Sequence, residues 1–362
     1  MENSNISENV KVGLGYLRDL SDPNLKKDDL FLEKPLDSVR LSRDKRLPQC
    51  LEVVQDSGSH AAFERATTWL SHCIENDERC NPPASKFIPL RLIDVGFDET
   101  QNPTLISLKE PKPYVCLSYC WGPDIQNVWK TTLQNLASHY NAIPYSSLPK
   151  TVQDAIKVCR GMKIRYLWVD SLCIVQNDKL EWAHQCGQMR DIYRHSHLTI
   201  AALEPSSCKL GFLGKQKFGM SDWQRMADVS TDDSDQLFIR KNEFHPEELG
   251  QTNSLDQRGW CLQESLLPNR RLCYDGNEML WECLCRRICE CGHTQWDIQS
   301  TRTDTPILRD ELVGNDPYWA WRRLVTQYSS RSLTNKTDKL KALSGLAQTM
   351  LAARGNPSGK ST

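Results

Sequence analysis

Three short apolar segments constrain this chain more than any other feature: Tyr114-Val115-Cys116-Leu117-Ser118-Tyr119, Tyr166-Leu167-Trp168-Val169 and His197-Leu198-Thr199-Ile200-Ala201-Ala202. Each is apolar, aromatic or β-branched with little polar alternation, the pattern of a strand covered on both faces. The intervals between them carry a helical period. Val152, Ala155, Ile156, Cys159 and Met162 form one apolar stripe, opened by Pro149 and by Thr151 and Asp154 at capping-box spacing. Trp182, Cys186, Met189 and Tyr193 form another, behind a cap at Asn177 or Asp178. Strand, helix, strand, helix, strand predicts an α/β fold with a mainly parallel sheet flanked by helices. Such sheets bind ligands beyond the carboxyl ends of their strands. Here those ends are Tyr119–Gly122, Asp170–Cys173 and Glu204–Ser207.

The rest of the chain is arranged around that core, residues 113–214. Residues 1–45 are polar, charged and aperiodic, which predicts a disordered tail. Residues 46–112 add a helix from Ala61 to Cys80 and short strands at Leu90–Val95 and Thr104–Leu108. Residues 215–354 form an extension, with a strand at Leu237-Phe238-Ile239 and a helix from Arg258 to Leu267. A β-hairpin follows, in which Arg271–Tyr274 and Met279–Cys283 flank Asp275-Gly276-Asn277, and then two closing helices. Residues 355–362 have the composition of a second disordered tail.

Charge and composition narrow the function classes. A net charge of −1 gives no field toward nucleic acid or anionic lipid. The basic pairs Arg270-Arg271 and Arg286-Arg287 lack the interleaved aromatics of a nucleic-acid surface. No apolar run is long enough to span a membrane, and the polar N-terminus has no signal-peptide core. The expectation is a cytoplasmic protein whose fifteen cysteines are reduced thiols.

Candidate site residues follow from the strand ends. Ser118, Tyr119, Trp121 and Gly122 supply hydroxyls, a stacking face and an open backbone; they read as a ligand loop or, equally, as a core plug and turn before Pro123. Asp170, beside Ser171, is a catalytic or ribose-binding carboxylate, or else a cap on the next loop. Cys173 and Cys120 are thiol nucleophile candidates if an imidazole serves them; His184, His195 and His197 are the nearest in sequence. Ser118, Trp121, Asp170 and Cys173 are expected to line one crevice. Cys283, Cys285, Cys289, Cys291 and His293 spell C-x-C-x3-C-x-C-x-H. Four thiolates, or three with an imidazole, could hold zinc, but zinc ligands usually come as C-x2-C and alternation along a hairpin would split this set, so it reads first as a reduced thiol cluster and second as a zinc site.

Taken together, Ser118-Tyr119-Cys120-Trp121-Gly122, Leu148-Pro149-Lys150-Thr151, Tyr166 through Ile174 and Met189-Arg190-Asp191-Ile192-Tyr193 resemble the fungal heterokaryon-incompatibility (HET) domain. Trp69-Leu70-Ser71-His72-Cys73, Cys80 and Pro89–Ile93 look like the region preceding many such domains. Arg258-Gly259-Trp260-Cys261-Leu262-Gln263-Glu264 and Asp338 through Leu346 look like two later signatures. The resemblance implies self/non-self recognition and defence-type programmed cell death, with a protein partner or self-association. Its alternatives are a non-catalytic signalling module and an accessory protein of a specialised-metabolism gene cluster. The family is similar in topology to TIR domains (a TIR/flavodoxin-like three-layer core), some of which hydrolyse NAD. That implies NAD as a candidate substrate and no other cofactor. TIR-type hydrolases use a glutamate on a helix beside the sheet; the matching helix here offers Glu181. Where many family members carry a second glutamate this chain has Gln185, whose amide cannot hold a proton as a carboxylate does.

Overall fold

The computed structural model describes residues 32–33, 49–50, 53–217 except 84, 125 and 127, 223–226, 237–240, 253–291, 295–297 and 317–354. The two predicted tails fall outside these residues, apart from the short strand at 32–33.

The strands in chain order are β1 Leu32–Glu33, β2 Gln49–Cys50, β3 Leu92–Asp94, β4 Thr104–Ile106, β5 Tyr114–Ser118, β6 Tyr166–Trp168 and β7 Leu198–Ala202. They continue as β8 Trp223–Met226, β9 Leu237–Arg240, β10 Arg270–Tyr274, β11 Met279–Cys283, β12 Arg286–Cys289 and β13 Gln295–Asp297. The helices are α1 His60–Asn76, α2 Leu136–Asn141, α3 Lys150–Gly161, the single turn α4 Asp170–Cys173, α5 Lys179–Arg194, α6 Cys261–Leu266, α7 Pro317–Ser329 and α8 Lys341–Arg354.

Among the described residues, nine strands form one sheet in the order β13-β12-β11-β10-β7-β5-β6-β3-β4, and β2-β1-β9-β8 form a smaller one. Three pairings of the large sheet are parallel, β6 with β5, β5 with β7 and β7 with β10. The other five are antiparallel. The expectation of a mainly parallel sheet is therefore corrected to a mixed one. For four of the five the cause is local: β3 with β4, and β10 through β13, are neighbours in sequence joined by short connections, which pair strands antiparallel; the fifth, β3 with β6, joins strands distant in sequence. The three segments read as buried strands are the centre of the sheet, and every residue of β5 and β7 is buried.

Numbered along the chain, the parallel strands run 2-1-3-4, so the winding reverses between β5 and β7. That reversal is where open α/β sheets receive ligands. Helix α3 lays its apolar stripe against β5 and β6 and packs on α1, while α5 and α6 both pack on the C-terminal α8. The predicted cap of α3 does not form. Thr151 lies inside the helix with its hydroxyl unpartnered, and Asp154 accepts the backbone N–H groups of Phe212 and Leu213 at 2.8 and 3.2 Å. Asp154 thus ties the loop after β7 to α3. Helix α5 begins as its sequence indicates, with Asp178 accepting from Leu180 and Glu181. No described helix is long and apolar enough to cross a membrane.

Candidate functional site

The carboxyl ends of β5 and β6 meet through side chains. Asp170 opens α4, and its Oδ1 accepts the Ser171 N–H at 2.7 Å. Trp121, three residues beyond β5, donates its indole N–H to the same carboxylate, 3.2 Å from Oδ1 and 3.0 Å from Oδ2. One turn back toward the core, the Tyr119 hydroxyl donates to Ser171 Oγ at 2.9 Å. Burial pushes the Tyr119 phenol up, so it stays a neutral donor.

Two further charged residues enter from the segment around α6. Glu264 is buried, and its Oε2 accepts the Ser118 hydroxyl at 2.5 Å. Arg258 donates to the Tyr119 carbonyl and lies within electrostatic reach of both Asp170 and Glu264. Burial first, and the Glu264 carboxylate second, push Asp170 up from its ordinary 3.8 to about 6; Arg258, the Ser171 N–H and Trp121 pull the other way. The cluster is therefore two carboxylates and one guanidinium, with the affinity of one carboxylate for its proton moved close to neutrality.

The Tyr114-to-Glu264 span is what similarity recognises. Residues 114–264 match the family model described as Heterokaryon incompatibility protein (HET). Over this span the chain carries a HET domain. The matched span opens on the first residue of β5 and closes on the carboxylate bonded to Ser118. Heterokaryon incompatibility protein 6, OR allele, of Neurospora crassa is 29% identical over 105 residues, which cover 27% of this chain and 15% of that protein. The chain thus aligns with a minor part of this relative's length. No solved structure matches.

Within the HET domain the remaining sequence-derived candidates separate. Gly122 does allow a close approach, but of its own chain: at φ +95°, an added Cβ would sit 2.6 Å from Ser207 Oγ. Cys173 turns back under β6, its sulfur 3.5 Å from the Val169 N–H and 4.0 Å from the Leu167 carbonyl. Burial pushes its thiol up to about 12, which opposes a thiolate role. Burial raises the Cys120 thiol as well. Of the histidines, His184 lies beside the Gln185 amide and His195 packs on Phe87. Glu181 accepts from Arg91 and from the Val175 N–H, which fixes the loop after α4. Gln185 is buried in α5.

The third strand end, at β7, carries Glu204, which pairs with Lys217 at 2.9 Å. It borders a cavity of about 160 Å³ walled also by Phe212, Gln216, Tyr274 and Glu278. The predicted C-x-C-x3-C-x-C-x-H set divides: Cys80 lies 3.9 Å from Cys285, while Cys289 and Cys291 gather with Glu278. His293 lies outside the described residues. The basic pairs are turned inward, Arg271 and Arg287 to Glu282, Arg286 to Asp77 and Arg270 to Cys73.

Sequence reasoning gave Arg258 and Glu264 no chemical role. The available signal was charge at two positions flanking the apolar Cys261 and Leu262 in a short helix; buried carboxylates need a partner.

Proposed function

We propose that this protein acts in fungal self/non-self recognition of the incompatibility type, with activation ending in defence-type cell death. We further propose that the cluster between β5, α4 and α6 is its effector centre, binding a ribose-bearing nucleotide such as NAD. The family and the Neurospora relative support the first part. The second rests on Asp170 and Glu264, which approach the winding reversal from separate elements, with Asp170 raised to about 6. The TIR/flavodoxin-like comparison is an analogy that the 2-1-3-4 strand order supports.

In NAD hydrolysis the bond between ribose C1′ and the nicotinamide nitrogen breaks, and water oxygen bonds to C1′. The departing nicotinamide keeps the bonding electron pair, and one water proton is released. Ionised Asp170 is suited to take that proton, Glu264 to hold positive charge developing on the ribose, and the Trp121 ring to stack on a base. A second reading has support of its own. Asp170 already receives the Trp121 and Ser171 N–H groups, Ser118 is engaged by Glu264, and the helix beside the sheet carries Gln185. On that reading the cluster is a latch, and a partner or self-association carries the signal.

The deciding experiment expresses wild type, Asp170→Asn and Glu264→Gln at equal abundance in a fungal host and follows death and cellular NAD together. The nucleotide reading expects NAD to fall before death in the wild type only. Death without loss of NAD in the wild type rejects it in favour of the latch.

A further inference from the structure

Four buried donors converge at the C-terminal end of α1. Cys73 comes from the last turn of α1, Asp77 follows that helix, Cys80 ends the next helical turn, and Cys283 is the last residue of β11. Their donor atoms all lie within 4.8 Å of one another, and all four residues are buried. Cys283 Sγ stands 3.6 Å from Asp77 Oδ2. A tetrahedral zinc site with Zn–S bonds of about 2.3 Å has donor–donor edges of about 3.8 Å. The observed separations therefore need only small side-chain rotations to close on an ion.

The surroundings are those of a ligand shell rather than an apolar core. Arg270 Nε lies 3.3 Å from Cys73 Sγ, and Arg286 Nη2 lies 2.6 Å from Asp77 Oδ1, leaving Oδ2 turned to the sulfurs. The backbone N–H groups of Cys285 and Arg286 point at the Cys283 sulfur, because β11 ends there in a turn. Three thiolates and a carboxylate around a dication carry a net charge of −2. Two guanidiniums in contact with the donors supply the opposite charge, as outer groups do around metal ligands. The alternation that splits the hairpin cysteines is no obstacle here, since Cys283 acts with α1 and the turn after it and not with Cys285, Cys289 or Cys291.

We propose that Cys73, Asp77, Cys80 and Cys283 hold one structural Zn²⁺ that clips the end of α1 to the β10–β11 hairpin. With all four positions filled by protein, the site is closed and serves folding, not catalysis. Cys285, 3.9 Å from Cys80, neighbours the set without completing it.

The test uses the 362-residue chain, expressed with added zinc and purified under reductant. Elemental analysis should find about one zinc per chain. Chelation should lower Tm, and added Zn²⁺ should restore it. Substitution with Co²⁺ should give a thiolate-to-cobalt charge-transfer band with tetrahedral ligand-field absorption. Cys80→Ser and Cys283→Ser should lose the metal, whereas Cys285→Ser and Cys289→Ser should keep it. Asp77→Ala should weaken binding by roughly tenfold or more in competition with a chelator. The proposal is overturned if the wild type carries no zinc and its Tm ignores the chelator, a result that stands even if the variants fail to fold. It is also overturned if peptide mapping finds a disulfide among Cys73, Cys80 and Cys283, or if Cys285→Ser abolishes binding while Asp77→Ala leaves it intact.

Discussion

Trp121 donates its indole N–H to both carboxylate oxygens of Asp170, at 3.2 and 3.0 Å, and so joins the end of β5 to the turn after β6. The bond favours the charged carboxylate, yet burial and Glu264 outweigh it and leave Asp170 at about 6. A raised carboxylate binds its proton more tightly folded than unfolded. Its stabilising contribution is present below the unfolded value near 4 and is lost as pH rises through about 6. Asp170→Asn cannot ionise and escapes that loss. The variant's stability relative to wild type should therefore rise between pH 4 and 6, by up to about 3 kcal/mol, and level off above. Thermal denaturation of both proteins across this range checks it; a constant difference would refute the burial argument.

Gly122 is held at φ +95° against Ser207. Gly122→Ala meets two obstacles, a left-handed backbone and a Cβ 2.6 Å from Ser207 Oγ and 3.2 Å from Ser207 Cα. The expected cost is about 1–3 kcal/mol. Adding Ser207→Gly should recover part of it, since the side-chain clash goes and the backbone strain stays. Urea denaturation of the single and double variants measures the split. Full recovery would mean that the backbone conformation carries no penalty.

The parts of this architecture legible in the sequence are those set by short-range pattern. The β5, β6 and β7 segments announce themselves because strands covered on both faces cannot alternate polar and apolar residues. Asp170 and Trp121 are visible as strand-end residues for the same reason. Glu264 is not, because its partner Ser118 is 146 residues away and no local period links a helix to a strand end across that distance. The Thr151–Asp154 spacing misleads because the loop at Phe212 and Leu213 takes the carboxylate that the cap would have used. The cysteine-rich stretch misleads likewise. The partners of Cys283 sit in α1 and just beyond it, so the chain must fold before the four donors meet.

Glu181, the acid that the TIR analogy points to, is engaged in a different task. It pairs with Arg91, and both side chains are largely buried, 20% and 6% exposed. Arg91 also donates to the Cys173 carbonyl at 2.9 Å, so the pair holds the turn that carries Asp170. Removing one partner leaves a charge buried without compensation. Arg91→Met or Glu181→Leu alone should cost about 3–5 kcal/mol, and the double variant less than the sum of the two. A double-mutant cycle by chemical denaturation provides the measurement. Strict additivity would show that the pair is not coupled, and would return Glu181 to consideration as a free acid.

The last prediction separates a catalytic Asp170 from a latch by its pH dependence. If Asp170 takes a proton from water, NAD turnover requires the ionised form, and the acid limb of the rate profile should have its midpoint near 6. Trp121→Phe keeps a flat ring but removes the N–H that stabilises the carboxylate. Asp170 should then hold its proton to higher pH, and the limb should move upward. A latch behaves differently. Losing the Trp121 bond would lower the amount of working protein at every pH, reducing the plateau while leaving the midpoint where it was. The profile of purified wild type and Trp121→Phe, measured as nicotinamide released per mole of total protein, tells the two apart. An upward shift of the limb supports proton transfer at Asp170. A fixed limb with a lowered plateau assigns the Trp121–Asp170 contact to holding β5 and α4 together.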